Sequence, residues 1–131
     1  DVYDLANFNL ISGSDATMVT TLEQAIEEQR WVVVTGWTPH WKFALWDLKY
    51  LQDSRNVYGE NEHISTIVRK NLQNDMPRVY SFLNNFHWKA SDMEEVMLRI
   101  REGITPEKAA LDWVKENDER VTAWVVNKTP Y

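Results

Sequence analysis

A β-branched run that stops at a glycine is the feature that most constrains the fold of this chain. The run Val32–Thr35 predicts a buried strand, and Gly36 ends it at the entrance to a tight loop. The loop places three ring-bearing residues in close succession: Trp37, His40 and Trp41. Large aromatic side chains just past the carboxyl end of a strand lie where open α/β sheets bind ligands. The loop is therefore the first candidate for a binding site.

The segment before this run predicts a helix, and with it a strand–helix–strand unit. Apolar residues repeat at helical spacing over residues 16–29, with glutamates on the opposite face. Ser14 or Asp15 is placed to cap that helix. We expect strands on either side, over residues 4–11 and 30–35, and this order is typical of a parallel sheet.

The rest of the chain changes from strand to helix. Residues 47–51 and 63–69 read as short strands, the second of them an antiparallel or edge member of a mixed sheet. From about Asn74 onward, helical periodicity dominates. Three signals mark helix boundaries there: a capping box at Ser91–Glu94, a stop at Gly103 and a start at Thr105. The predicted fold class is α/β, a mixed sheet flanked by helices with a helical C-terminal half.

Composition excludes several classes of function. The 131 residues suffice for one domain, and the formal net charge of −6 argues against a nucleic-acid partner or an anionic membrane surface. The chain has no cysteine, so disulfides and thiolate metal sites are excluded. No apolar run approaches the ~20 residues of a membrane span.

The residues give little support to catalysis. His40 lies in the candidate loop, but no serine elbow or cysteine accompanies it, so a hydrolase that uses His40 lacks a nucleophile. The three histidines show no metal-ligand spacing, and no phosphate-binding or dinucleotide fingerprint is present. We therefore expect no enzyme activity, no cofactor and no metal.

The aromatic loop favours recognition of a cation by the π face of a tryptophan. One of the two rings, Trp37 or Trp41, could enter a ligand cleft while the other anchors the loop; alternatively, both pack beneath it. His40 either bonds the loop backbone and holds Trp37 in place, which we prefer, or touches a ligand. Tyr50 and Tyr58 could add an aromatic wall.

Five strings of residues carry a resemblance that covers essentially the whole chain. They are TGWTPHW at Thr35–Trp41, DLKYLQD at Asp47–Asp53, YG at Tyr58-Gly59, EHISTIVRK at Glu62–Lys70 and DMEEVML at Asp92–Leu98. With these strings the chain resembles the substrate-binding proteins of glycine betaine/proline-type ABC importers, which bind quaternary ammonium compounds. TGWTPHW followed by DLKYL is the most specific part of the match.

The resemblance implies a function and a site. Such proteins are extracytoplasmic, in the periplasm or at the outer face of the cell membrane, and deliver an osmoprotectant to a membrane permease. Their type II fold has two lobes that close on the ligand, and aromatic rings box its trimethylammonium group. By resemblance Trp37 is the box residue of this segment, and the candidate ligand-binding set is Trp37, His40 and Trp41.

Family members are longer than this chain, so we expect residues 1–131 to be a single α/β lobe. The chain begins with Asp1 rather than Met, which suggests a processed, excised or truncated product. Its expected partners are the permease, a glycine betaine-like small molecule, and the missing second lobe or a second copy of the chain. The alternative is a protein-interaction module that uses the exposed aromatic residues and has no small-molecule ligand.

Overall fold

Helices are the regular elements in the part of the chain that the structure describes, residues 2–59 and 63–125 of a computed structural model. Their bounds are α1 Asp15–Glu27, α2 Lys42–Leu45, α3 Leu72–Asp75, α4 Pro77–Asn85, α5 Ala90–Arg101, α6 Pro106–Glu116 and α7 Asp118–Val125. Helix α2 packs against α5, α4 against α3 and α7, and α6 against α5 and α7. The short helix α2 thus connects the candidate loop to the helical C-terminal half.

The predicted first helix is confirmed, with slightly different bounds. The Ser14 hydroxyl caps α1 by accepting a hydrogen bond from the backbone N–H of Thr17 at 3.2 Å. The helix ends before Gln29, which adopts a left-handed φ of 54°. Its buried face consists of Val19, Leu22 and Ala25, the spacing that an amphipathic helix requires.

The helical C-terminal half is also confirmed, and it holds an aromatic core. Trp113 is 1% exposed and packs with Val96 of α5 and Ala109 of α6. The partly buried residues around this core are Trp88, Ile104, Val121 and Trp124. Packing of partly buried rings around the buried Trp113 ring stabilises this half of the chain.

Two of the three predicted boundary signals are confirmed, and one is wrong. Gly103 follows α5 with φ of 99°, and the Thr105 hydroxyl accepts a hydrogen bond from the backbone N–H of Lys108 at 3.4 Å to begin α6. Ser91, however, lies inside α5 and does not cap it. The N-cap is Lys89, two residues before Ser91, because the Asp92 carboxylate accepts a hydrogen bond from the backbone N–H of Lys89 at 2.8 Å.

The described residues contain no β-ladder, so the mixed sheet stays a prediction. Burial nevertheless alternates along the run before the loop: Val32 and Val34 are half-buried, whereas Trp31 and Val33 are exposed. Alternation of this kind is typical of an extended chain. A strand needs a hydrogen-bonding neighbour to form a ladder, and the described residues supply none. The strand predicted over residues 63–69 lies within the described residues, whereas Glu62, the first residue of the EHISTIVRK string, lies outside them.

Candidate functional site

The candidate site is built on the loop between Gly36 and Trp41 and on the helix that follows it. The Thr38–Pro39 peptide is cis, which turns the chain sharply within the loop. Helix α2 begins directly afterwards at Lys42 and packs on α5. Loop and helix together bring the aromatic residues of this segment close to one another.

Trp37 is the exposed ring of the loop. Its side chain is 52% exposed, and the His40 ring meets it edge-on with centroids 5.0 Å apart and planes at 88°. A tryptophan held by a neighbouring ring but half-exposed to solvent is suited to contact a ligand through its π system.

His40 has a different environment and is only 3% exposed. Its Nδ1 accepts a hydrogen bond from the backbone N–H of Lys42 at 3.2 Å, and its Nε2 lies 3.4 Å from the Asp15 carboxylate at the start of α1. The histidine therefore hydrogen-bonds the loop backbone and contacts the Trp37 ring, and its role toward a ligand stays a prediction. Both ring nitrogens of His40 therefore have partners within the fold, Nδ1 in the Lys42 backbone N–H and Nε2 in the Asp15 carboxylate.

Trp41 is enclosed by other side chains. Its ring centroid lies 5.2 Å from that of His40 and 5.9 Å from that of Trp46. The guanidinium of Arg101, at the end of α5, stacks 4.2 Å from the Trp41 ring centroid. Trp41 thus anchors the loop to the helical half, whereas Trp37 remains half-exposed.

Lys42 is the residue that sequence reasoning missed. It is 1% exposed, and its ammonium donates a hydrogen bond to the carbonyl oxygen of Thr35 at 2.9 Å. The same ammonium lies 5.1 Å from the Trp37 ring centroid and 5.5 Å from that of Phe43. Burial lowers the pKa of Lys42, and the nearby Asp15 carboxylate partly opposes that shift.

The glycine before the loop makes room for this ammonium. A Cβ atom at Gly36 would lie 3.2 Å from Lys42 Nζ, closer than nearly all such contacts. A lysine side chain usually extends into solvent, so no local pattern in the sequence predicts that Lys42 is buried. The available signal was a glycine followed by aromatic residues on both sides of one lysine.

One of the two candidate tyrosines joins the site. Tyr50 stacks on Phe43 with centroids 5.0 Å apart and planes at 19°, and its hydroxyl shares a hydrogen bond with the Thr38 hydroxyl. Tyr58 lies in a separate turn, where its backbone N–H donates to the Asp53 carboxylate at 2.7 Å. Trp37, Phe43 and Tyr50 form the aromatic surface of the site. This surface already holds one cation, because the Lys42 ammonium lies over the Trp37 and Phe43 rings.

Residues 2–59 and 63–125 contain no cluster of three or more histidine or acidic side chains that could hold a metal ion. Across the same residues, none of the helices has both the length and the apolar character that crossing a membrane requires.

Comparison with known proteins places this site in a family context. Residues 1–116 match the family model described as the substrate binding domain of ABC-type glycine betaine transport systems. The chain is 51% identical over 118 residues to the glycine betaine/carnitine transport binding protein GbuC of Listeria monocytogenes. That alignment includes 90% of this chain and 39% of GbuC.

Two solved structures are similar to nearly all of the chain. Lactococcal OpuAC, crystallised in a closed form with glycine betaine, superposes with a TM-score of 0.72 at 42% identity, covering 95% of this chain and 49% of OpuAC. The glycine betaine/L-proline-binding protein ProX of Borrelia burgdorferi gives a TM-score of 0.67 at 30% identity, covering 94% and 47% respectively. The chain therefore spans half or less of the length of these relatives.

Proposed function

We propose a function for this chain from the premise that it belongs to the substrate-binding domain family of ABC-type glycine betaine transport systems. In this function the chain supplies one wall of a binding site for a quaternary ammonium group. The ligand is glycine betaine or a related osmolyte, which the complete protein delivers to the permease of an ABC importer outside the cytoplasm. Its relatives are transport binding proteins, and we propose no enzyme activity for it.

The observation that supports this proposal is the half-exposed Trp37 ring held against the buried His40. A quaternary ammonium group has no N–H, so hydrogen bonds cannot hold it. The π face of an indole attracts such a cation without an opposing anion in the pocket, with roughly 0.5–2 kcal/mol for each ring. In this proposal Trp37 touches the ligand, while His40 and Trp41 complete the site by positioning it.

The length of the relatives supports a two-lobed complete protein, in which residues 1–131 form a single lobe. We propose that residues 30–35 and 63–69 become strands of a mixed sheet of the type II binding-protein fold. The alternating burial of Val32 and Val34 favours this assignment. The second lobe, or a second copy of the chain, supplies the remaining walls of the ligand site.

The test is isothermal titration of the two-lobed protein with glycine betaine, comparing wild type with Trp37→Ala. Loss of one cation–π contact should weaken binding by about 2- to 30-fold. Trp31→Ala is the matched control, because Trp31 is fully exposed and lies before the loop. Equal affinities for wild type and Trp37→Ala would contradict the role of Trp37; absence of glycine betaine binding by the wild type would contradict the function.

A further inference from the structure

We infer that Lys42 is a specificity-determining residue of this site, one that favours zwitterionic ligands over ligands carrying only a positive charge. The inference rests on the function proposed above and extends it. It assigns a role to a buried charge that neither the aromatic surface nor the family match explains.

The position of the ammonium is fixed from several sides. It donates to the Thr35 carbonyl oxygen at 2.9 Å and lies over the rings of Trp37 and Phe43. Gly36 leaves just enough space beside it, since a Cβ there would approach Nζ to 3.2 Å. A buried charge held in this way is screened by solvent far less than an exposed lysine is.

A fixed positive charge at the ring that receives a ligand cation has two effects. It repels the incoming ammonium group, and it occupies part of the negative potential of the Trp37 π system. A carboxylate on the same ligand is attracted by that charge and compensates the repulsion. A ligand without a carboxylate obtains no such compensation, so the charge separates the two classes of ligand by roughly tenfold at the effective dielectric of a protein surface.

Asp15 is the carboxylate that acts on Lys42 from the start of α1, and it also lies 3.4 Å from His40 Nε2. Its side chain is 50% exposed, so water screens its charge more than that of the buried ammonium. The pair therefore leaves a net positive field at Trp37. Removal of the carboxylate should strengthen that field.

The experiment compares two probes, glycine betaine and choline, which share a trimethylammonium group and differ in that choline has a neutral hydroxymethyl group in place of the carboxylate. Isothermal titration of the two-lobed protein gives the ratio of the two dissociation constants for each variant. Lys42→Met keeps the side-chain volume and removes the charge, and it should shift the ratio toward choline by about tenfold. Lys42→Gln should shift it in the same direction.

Two further variants control the measurement. Lys115→Met makes the same change of net charge at an exposed position on α6 and should leave the ratio within about twofold. Asp15→Asn should move the ratio the opposite way, toward glycine betaine. Because Asp15 is half-exposed, this variant also tests the electrostatic argument if both Lys42 variants fail to fold.

The outcomes separate this inference from the proposed function. A wild type that binds neither probe overturns both. A wild type that binds glycine betaine, with a ratio unchanged in Lys42→Met, overturns only the role of Lys42. Equal weakening of both probes by Lys42→Met would show that Lys42 supports the structure without selecting ligands, and would likewise overturn the inference.

Discussion

Arg120 of α7 donates two parallel hydrogen bonds to Asp92 of α5, from Nη1 to Oδ1 at 2.9 Å and from Nη2 to Oδ2 at 2.7 Å. The same carboxylate accepts the backbone N–H of Lys89 that begins α5. The guanidinium also lies over the rings of Trp113 and Trp124, at 5.2 Å and 5.9 Å from their centroids. One ion pair thus joins the start of α5, the helix α7 and the aromatic core.

The first prediction concerns this ion pair at low pH. The hydrogen bonds from Arg120 hold the pKa of Asp92 below its ordinary value of about 3.9. A depressed carboxyl pKa stabilises the fold above that ordinary value, and the stabilisation is lost as pH falls through the depressed pKa. Asp92→Ala should destabilise the chain by about 1–2 kcal/mol at pH 7. In urea unfolding, the difference from wild type should shrink below about pH 4; a difference independent of pH would contradict the assignment.

The second prediction separates the two loop tryptophans by stability. Trp41 is enclosed by His40, Trp46 and Arg101, so Trp41→Ala should lower the free energy of unfolding by about 2–3 kcal/mol. Trp37 is 52% exposed, and Trp37→Ala should cost about 1 kcal/mol. Thermal melts followed by circular dichroism measure both. The reverse order of effects would mean that Trp37 is the anchor.

The third prediction concerns Lys42 at alkaline pH. Its pKa is lowered by burial, so the unfolded chain binds more protons than the folded chain between that lowered pKa and about 10.4. Folding should therefore gain stability as pH rises through this window, and Lys42→Met should lack that gain. Urea unfolding of both chains from pH 7 to 10 gives the difference between their free energies of unfolding. This difference should grow in favour of wild type as pH rises. A difference that does not change with pH would indicate that the Lys42 ammonium is not desolvated.

The fourth prediction tests how α1 begins. Ser14 accepts the Thr17 backbone N–H, so Ser14→Ala should destabilise the chain by about 1 kcal/mol. Ser12→Ala provides a control in the same turn that leaves the cap intact. Similar losses in the two variants, measured by chemical denaturation, would show that the turn as a whole matters more than the cap.

The sequence predicted those parts of the fold that local interactions decide. Helix α1 follows from apolar spacing and the Ser14 cap, and the start of α6 follows from Thr105 and Pro106. The start of α5 was misjudged because Ser91 and Asp92 are both good capping residues, and only tertiary contact with Arg120 favours Asp92. Strand pairing depends on neighbours distant in sequence, which is why the sheet stays a prediction.

The candidate site divides in the same way. Spacing alone singled out the loop with Trp37, His40 and Trp41, and the residues also suggested that one ring anchors while the other is open. That Trp41 is the anchoring ring depends on its contact with Arg101. Arg101 lies sixty residues further along the chain, so no local sequence pattern predicts this contact. The buried Lys42 was missed because its environment comes from the Thr35 carbonyl and Gly36 across the loop.

The stacking of Arg101 on Trp41 gives the site a second point of adjustment. Arg101 ends α5, and Trp41 immediately precedes α2, so the aromatic loop takes its orientation from a helix that does not carry the candidate ligand residues. Substitutions along α5 that move Arg101 should therefore reorient the loop while every ring within it is preserved. Under the proposed function, such a change in the scaffold would alter ligand preference without any change in the loop sequence.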